Sequence, residues 1–153
     1  MRLKSRQIAL MALIASLYAI GTIALAPISY GIVQVRVADA LIPLSIILGM
    51  PAVLGVTLGC IVANYIGGLG AVDIILGSLA NFIAGYVGMK LKDKKLLACV
   101  IQCLIITFIV GGYLWAIFGV SPLLSLAGVG LGSVISIVVL GYALIRVLEK
   151  FMI

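Results

Sequence analysis

The chain has 153 residues, of which 65% are hydrophobic and 9% charged, with a mean hydropathy of +1.44. These values exclude an ordinary soluble globular domain and point to a chain whose solvent is lipid. The net charge of +6 does not indicate nucleic acid, because nine of the ten Lys and Arg residues lie in short clusters at 2–6, 90–95 and 146–150 that flank apolar runs; they read as topology signals and anionic-lipid contacts.

The remaining charges, Arg36, Asp39 and Asp73, stand inside apolar sequence. A charge at the centre of a bilayer costs roughly 2.5–3.5 kcal/mol even on the lenient insertion scale, so retained charges face a bundle interior and mark a polar site. At this length the expectation is one transmembrane domain over residues 1–153, with room for about six or seven spans of roughly 20 residues. The chain should reside in the cell membrane as a multi-pass protein.

Arg2, Lys4 and Arg6 precede an apolar run from Ile8 to Ala26. That run exceeds the usual signal-peptide core of about 7–15 residues, so it predicts the first transmembrane helix. Ala9, Ala12, Ser16 and Ala19 recur along it at helical spacing, with Ala15 slightly to one side, forming a stripe that suits close helix packing. Its partner helix could belong to this chain or to another subunit.

Next comes Pro27-Ile28-Ser29-Tyr30-Gly31-Ile32-Val33-Gln34-Val35-Arg36-Val37-Ala38-Asp39, in which valines alternate with Gln34, Arg36 and Ala38. The period is that of extended backbone. Such backbone survives at membrane depth only against protein or a water-filled cavity, so the segment is expected to dip into the bundle as a lid-like loop. The alternative is an interfacial surface loop with Arg36 and Asp39 exposed.

Further apolar segments run over about 40–49, 51–66, 72–89, 96–118 and 122–147. The first two meet at Gly49-Met50-Pro51, so the region could also be one kinked helix, giving five spans. Six spans place all three basic clusters on the cytoplasmic side, with both termini, whereas five would scatter them. The expected fold is therefore an all-α bundle of six transmembrane helices. Gly55-x-x-x-Gly59 and Gly128-x-x-x-Gly132 are expected to serve packing within the bundle.

Asp73 follows the Gly67-Gly68-Leu69-Gly70 turn and opens the fourth segment, where favourable interaction with a helix dipole is one explanation. Asp73, Gly77 and Asn81 lie at i, i+4 and i+8 with Ser78 beside them, however, a face better suited to a ligand than to lipid. Asn64 adds a buried amide near the end of the third segment. Cys60, Cys99 and Cys103 fall in apolar runs with no histidine in the chain, and read as buried small side chains, with no metal expected.

Four stretches together carry a resemblance: Pro27-Ile28-Ser29-Tyr30-Gly31, Gln34-Val35-Arg36-Val37-Ala38-Asp39-Ala40-Leu41, Gly59-Cys60-Ile61-Val62-Ala63-Asn64, and Asp73-Ile74-Ile75-Leu76-Gly77-Ser78-Leu79-Ala80. The chain resembles the QueT family of substrate-binding subunits (S components) of energy-coupling factor transporters. Asp39 stands where the family pattern leads one to expect Glu. The resemblance implies a six-helix bundle that captures a queuosine precursor, a 7-deazaguanine such as 7-aminomethyl-7-deazaguanine, at its outer face. It also implies docking of the first helix, through the stripe Ala9, Ala12, Ala15, Ser16 and Ala19, onto a transmembrane scaffold (T component) that carries two cytoplasmic ATPases. The absence of a Gly-x-x-x-x-Gly-Lys-[Ser/Thr] loop agrees that energy comes from elsewhere.

The ligand's chemistry can be matched to these residues. A guanine-like edge presents an adjacent ring N–H and amino group that a carboxylate such as Asp39 can accept. Arg36, Gln34 or Asn81 can donate to the carbonyl oxygen, and the ring can stack on Tyr30, Tyr65, Tyr113 or Trp115; Asn64 is a further candidate for the site. A cationic aminomethyl group calls for a second acid, Asp73, and the roles of the two acids could be exchanged. No cofactor and no catalysis are expected. The competing readings are a self-sufficient ion-coupled carrier using Asp39 and Asp73 and, more remotely, an intramembrane aspartyl enzyme, whose Gly-x-Gly-Asp signature is missing because Gly70-Ala71-Val72 precede Asp73.

Overall fold

The computed structural model describes residues 4–31 and 34–152; Arg2 of the first basic cluster, and Ile32 and Val33 of the connecting segment, lie outside them. Among the described residues every regular element is helical. In chain order these are α1 (Ser5–Ala24), the single turn α2 (Ala26–Ser29), a 3-10 turn (Val37–Leu41), α3 (Leu44–Leu48), α4 (Met50–Gly67), a π turn (Asp73–Gly77) leading into α5 (Ser78–Lys90), α6 (Lys95–Phe118), α7 (Pro122–Ser133), and a π stretch (Val134–Gly141) continuing into α8 (Tyr142–Met152).

Local chemistry sets the boundaries. Gly49, at φ 69°, breaks the chain between α3 and α4, and Pro51 occupies the first turn of α4. The junction expected at Gly49-Met50-Pro51 is therefore a true break, since only glycine adopts this backbone conformation readily. Gly68 closes α4 and Gly119 closes α6, both left-handed. Ser121 caps α7 by accepting from the Leu124 N–H at 3.3 Å, just ahead of Pro122.

Among the described residues four helical stretches are long and apolar enough to cross a membrane: Ser5–Ala24, Met50–Gly67, Lys95–Phe118 and Pro122–Phe151. The segment at 72–89 is helical, as the π turn and α5, but is not among these four. The expected span at 40–49 is represented by the shorter run Val37–Leu48, roughly 18 Å at 1.5 Å per residue against roughly 30 Å of hydrocarbon. Protein surrounds that short run: Ala38, Asp39, Ala40, Ile42, Leu44, Ser45 and Ile46 are all buried. It packs against α1, α5 and the π stretch. The fully buried Gln102 on α6 fastens it in place, donating to Ser45 Oγ at 3.1 Å and to the Ala84 carbonyl of α5 at 3.2 Å.

Helices α1 and α4 lie side by side and run in the same direction. A Cβ on Gly55 would meet Ile14 at 2.9 Å, and one on Gly59 would come within 2.6 Å of the Ala15 carbonyl and 2.7 Å of Tyr18 Cβ. The Gly55-x-x-x-Gly59 pair thus brings two helices of the same chain together. Gly132 is pressed against the Gln34 carbonyl and Gly141 against Pro43, so the small face of α7 and its π stretch receives the segment from Gln34 to Pro43. Lys95 at the start of α6 pairs with Glu149 near the end of α8, and Gly49 lies beside Met89 near the end of α5. The described residues of all three charge clusters consequently gather at one end of the bundle. Its outer surface carries large apolar side chains, among them Leu13, Leu17, Ile20, Phe108, Leu123 and Leu131, as expected where lipid replaces water.

Candidate functional site

The connecting segment threads into the bundle. After α2 the chain returns so that the Val35 N–H donates to the Ile28 carbonyl at 2.9 Å, and Arg36 remains extended at φ −87°, ψ 90° before the 3-10 turn begins. Gln34, Arg36 and Asp39 are 5%, 5% and 6% exposed, and Asp73 is 0%. These values rule out the surface-loop reading.

Arg36 reaches α4, where Nη1 donates to Cys60 Sγ at 3.7 Å, and its guanidinium lies 5.4 Å from the centroid of the Tyr30 ring. Its Nε and Nη2 are buried without partners. Lys95–Glu149 is the sole ion pair among the described residues, so this guanidinium has no carboxylate in contact. A buried cation held only by a thiol and an aromatic face is weakly compensated.

The two acids are held separately. Asp39 Oδ1 accepts from Tyr18 of α1 at 2.5 Å, and Asp73 Oδ1 accepts from Tyr113 of α6 at 2.5 Å. Each phenol occupies one carboxylate oxygen and fixes the other's direction; Asp73 Oδ2 is buried without a partner. Asn64 Nδ2 donates to the Asp73 backbone carbonyl at 2.8 Å, leaving Asn64 Oδ1 unpartnered. The π turn and Gly77 make this arrangement possible, since a Cβ on Gly77 would lie 2.6 Å from Asn64 Nδ2 and 3.1 Å from the Tyr113 hydroxyl. Asp73 thus does more than complement a helix dipole.

Most of the expected site residues converge here. Gln34, Arg36, Asp39, Asn64 and Asp73 are buried at this polar centre, and Tyr30 packs beside Arg36 while donating to the Ala63 carbonyl at 2.5 Å. Asn81 is also buried, about two turns beyond Asp73, where it donates to the Val56 carbonyl at 3.5 Å and ties α5 to α4. Tyr65 and Trp115 are not brought to the centre. Tyr65 is 76% exposed on the outer face of α4, and Trp115 is 41% exposed with its indole N–H on the Gly112 carbonyl. The expectation of ring stacking on these two is corrected accordingly.

Three contributors carry roles the sequence did not assign. Tyr18 and Tyr113 act as phenol donors to the acids, and Cys60, expected as inert filler, is the direct contact of Arg36. Tyr18 lies four residues from both Ile14 and Thr22, all buried; two hydroxyls on one face of an apolar helix were the available signal. Of the expected partner interface on α1, Ala9, Ala12 and Ser16 are exposed, Ala15 is half-buried and Ala19 is buried. An apolar groove of about 350 Å³ runs beside them, lined by Ala15, Ser16, Ala19, Ile20, Leu58 and Val62 among others.

The chemical capacity of the site is polar recognition: two acids, a guanidinium and two amides are buried inside an apolar helical bundle. No curated protein and no solved structure matches the chain. The profile of one family, described as QueT transporter, matches residues 8–150, nearly the whole length. With that match and a buried polar centre in an apolar helical bundle, the chain belongs to the QueT transporter family.

Proposed function

We propose that this chain is the substrate-capture subunit of an energy-coupling factor transporter, and that its buried polar centre takes a cationic 7-deazaguanine such as 7-aminomethyl-7-deazaguanine. The observation that carries this reading is how the unpartnered buried atoms of the expected site residues sort. Gln34 Nε2 and Arg36 Nε and Nη2 are donors, whereas Asn64 Oδ1 and Asp73 Oδ2 are acceptors. An unsatisfied buried polar group costs about 1–3 kcal/mol, so a ligand presenting the complementary pattern recovers that deficit.

In this reading Arg36 and Gln34 donate to the ring carbonyl, Asp39 accepts the ring N–H and amino group, and Asp73 with Asn64 receives the aminomethyl ammonium. Tyr30 offers its ring beside Arg36. Two carboxylates and one guanidinium favour a monocation over neutral analogues. An adenine-type edge would leave a buried acid facing the wrong group.

The bundle completes six spans, with both termini and the 90–95 turn in the cytoplasm. Val37–Leu48 and the helix from Asp73 to Lys90 supply the two spans beyond the four long ones. The exposed part of the α1 stripe, with the adjoining groove, docks the scaffold subunit that bears the ATPases.

Calorimetric titration of the purified chain with 7-aminomethyl-7-deazaguanine, its 7-cyano analogue, guanine and adenine tests the proposal. Tight binding confined to the aminomethyl compound is the expected result. Absence of binding by folded protein would refute the substrate assignment, and uptake by this chain alone in energised vesicles would favour an ion-coupled carrier.

A further inference from the structure

The end of the bundle that gathers the charge clusters holds a second feature, unconnected with the polar centre. Where Gly49 interrupts the chain between α3 and α4, a recess of about 500 Å³ opens against the end of α5. Ile46, Leu48 and Met89 give it an apolar lining, and Lys90 and Lys92 complete it with no acidic residue among the described lining residues. Lys90 Nζ lies 5.4 Å from the Tyr86 ring centroid, which holds the ammonium close to the lipid-facing surface of α5. Lys95, in the same cluster, is already paired with Glu149. Asp93 lines a smaller neighbouring recess with Lys94 and Leu97, and Lys90 stands between the two recesses.

We propose that this recess binds the headgroup of an anionic phospholipid, with the phosphate between Lys90 and Lys92 and the first acyl carbons on Ile46, Leu48 and Met89. Charge complementarity requires an anion. The apolar lining selects a lipid over a free phosphate, which would leave it wet. The location fits as well, because clustered basic residues mark the level at which headgroups lie. A bound lipid would brace the α3–α4 break, a junction made of the single residue Gly49.

The test uses the full chain in phosphatidylcholine nanodiscs with or without phosphatidylglycerol, read by native mass spectrometry of retained lipid and by thermal melting. The wild type should retain one phosphatidylglycerol and melt higher in its presence. Lys90→Gln combined with Lys92→Gln should reduce that retention roughly tenfold or more, while Lys94→Gln, on the neighbouring recess, should leave it unchanged. Should the double variant fold poorly in phosphatidylcholine alone, Lys92→Gln, in the turn beyond α5, should still lower retention. Equal retention of the two lipids, or full retention in the lysine variants, would overturn the proposal. Equivalent stabilisation by inorganic phosphate would assign the recess to a soluble anion instead.

Discussion

Substituting Asp73→Asn isolates charge from shape at the polar centre. The backbone is unaffected, because Asn64 donates to the Asp73 main-chain carbonyl at 2.8 Å whatever the side chain. The new amide oxygen can still accept from Tyr113, which now donates to Oδ1 at 2.5 Å. What is lost is the negative charge and the unpartnered acceptor Oδ2. A hydrogen bond to a charged group contributes about 1.5–3 kcal/mol, which at 1.4 kcal/mol per decade predicts about a 10- to 150-fold rise in Kd for the aminomethyl compound. The ligand-free protein should melt no lower than wild type, since neutralising a buried acid removes a desolvation penalty. Calorimetry and thermal melting of the same preparation supply both quantities. Unchanged affinity in both Asp73→Asn and Asp39→Asn would refute the reasoning; a large fall in melting temperature would show Asp73 to be chiefly structural.

Tyr113→Phe removes the donor to Asp73 Oδ1, and is expected to destabilise the protein by about 1–3 kcal/mol by leaving that oxygen bare; an unchanged melting temperature would contradict the geometry. Gly59→Ala would set a methyl group 2.6 Å from the Ala15 carbonyl and 2.7 Å from Tyr18 Cβ, costing about 1–3 kcal/mol of overpacking. It should weaken ligand binding as well, because Tyr18 orients Asp39; calorimetry and melting check the two effects together. Ser16→Trp adds bulk on the exposed side of α1, so ligand affinity should be retained while ATP-driven uptake by the assembled complex is lost. Full uptake would show that this face meets lipid alone.

The segregation of charge was legible because bilayer physics leaves few alternatives. Arg36, Asp39 and Asp73 are buried, and the described basic clusters share one end of the bundle. The alternation from Gln34 to Ala38 was legible too: Gln34, Arg36 and Ala38 are buried while Val35 and Val37 are half-exposed. With lipid outside, the polar set turns inward and the valines outward, the reverse of a water-soluble strand. No neighbouring strand pairs with it among the described residues, and the chain coils into a 3-10 turn at Val37. The aromatic assignments failed on rotational phase. Cys60 and Asn64, one turn apart on α4, point inward, whereas Tyr65, one residue further, is rotated by about 100° to the outside. Trp115 departs from Tyr113 on α6 in the same way, by about 200°. Composition also gave no sign of the π turn at Asp73, because that register depends on how Asn64, Gly77 and Tyr113 fit together in space.

Helix α1 has two faces. Tyr18 turns inward to Asp39, while Ser16 looks out on an apolar groove. A scaffold seated on the outer face and a ligand held at the inner one would therefore act on a single rigid rod, in contact with α4 at Gly55 and Gly59. Thermodynamic linkage then makes the coupling reciprocal: the factor by which docking loosens the ligand is the factor by which the ligand loosens docking. Were docking to loosen the ligand, an emptied subunit would grip its scaffold more tightly than a loaded one, and the cargo itself would drive exchange of subunits on the scaffold.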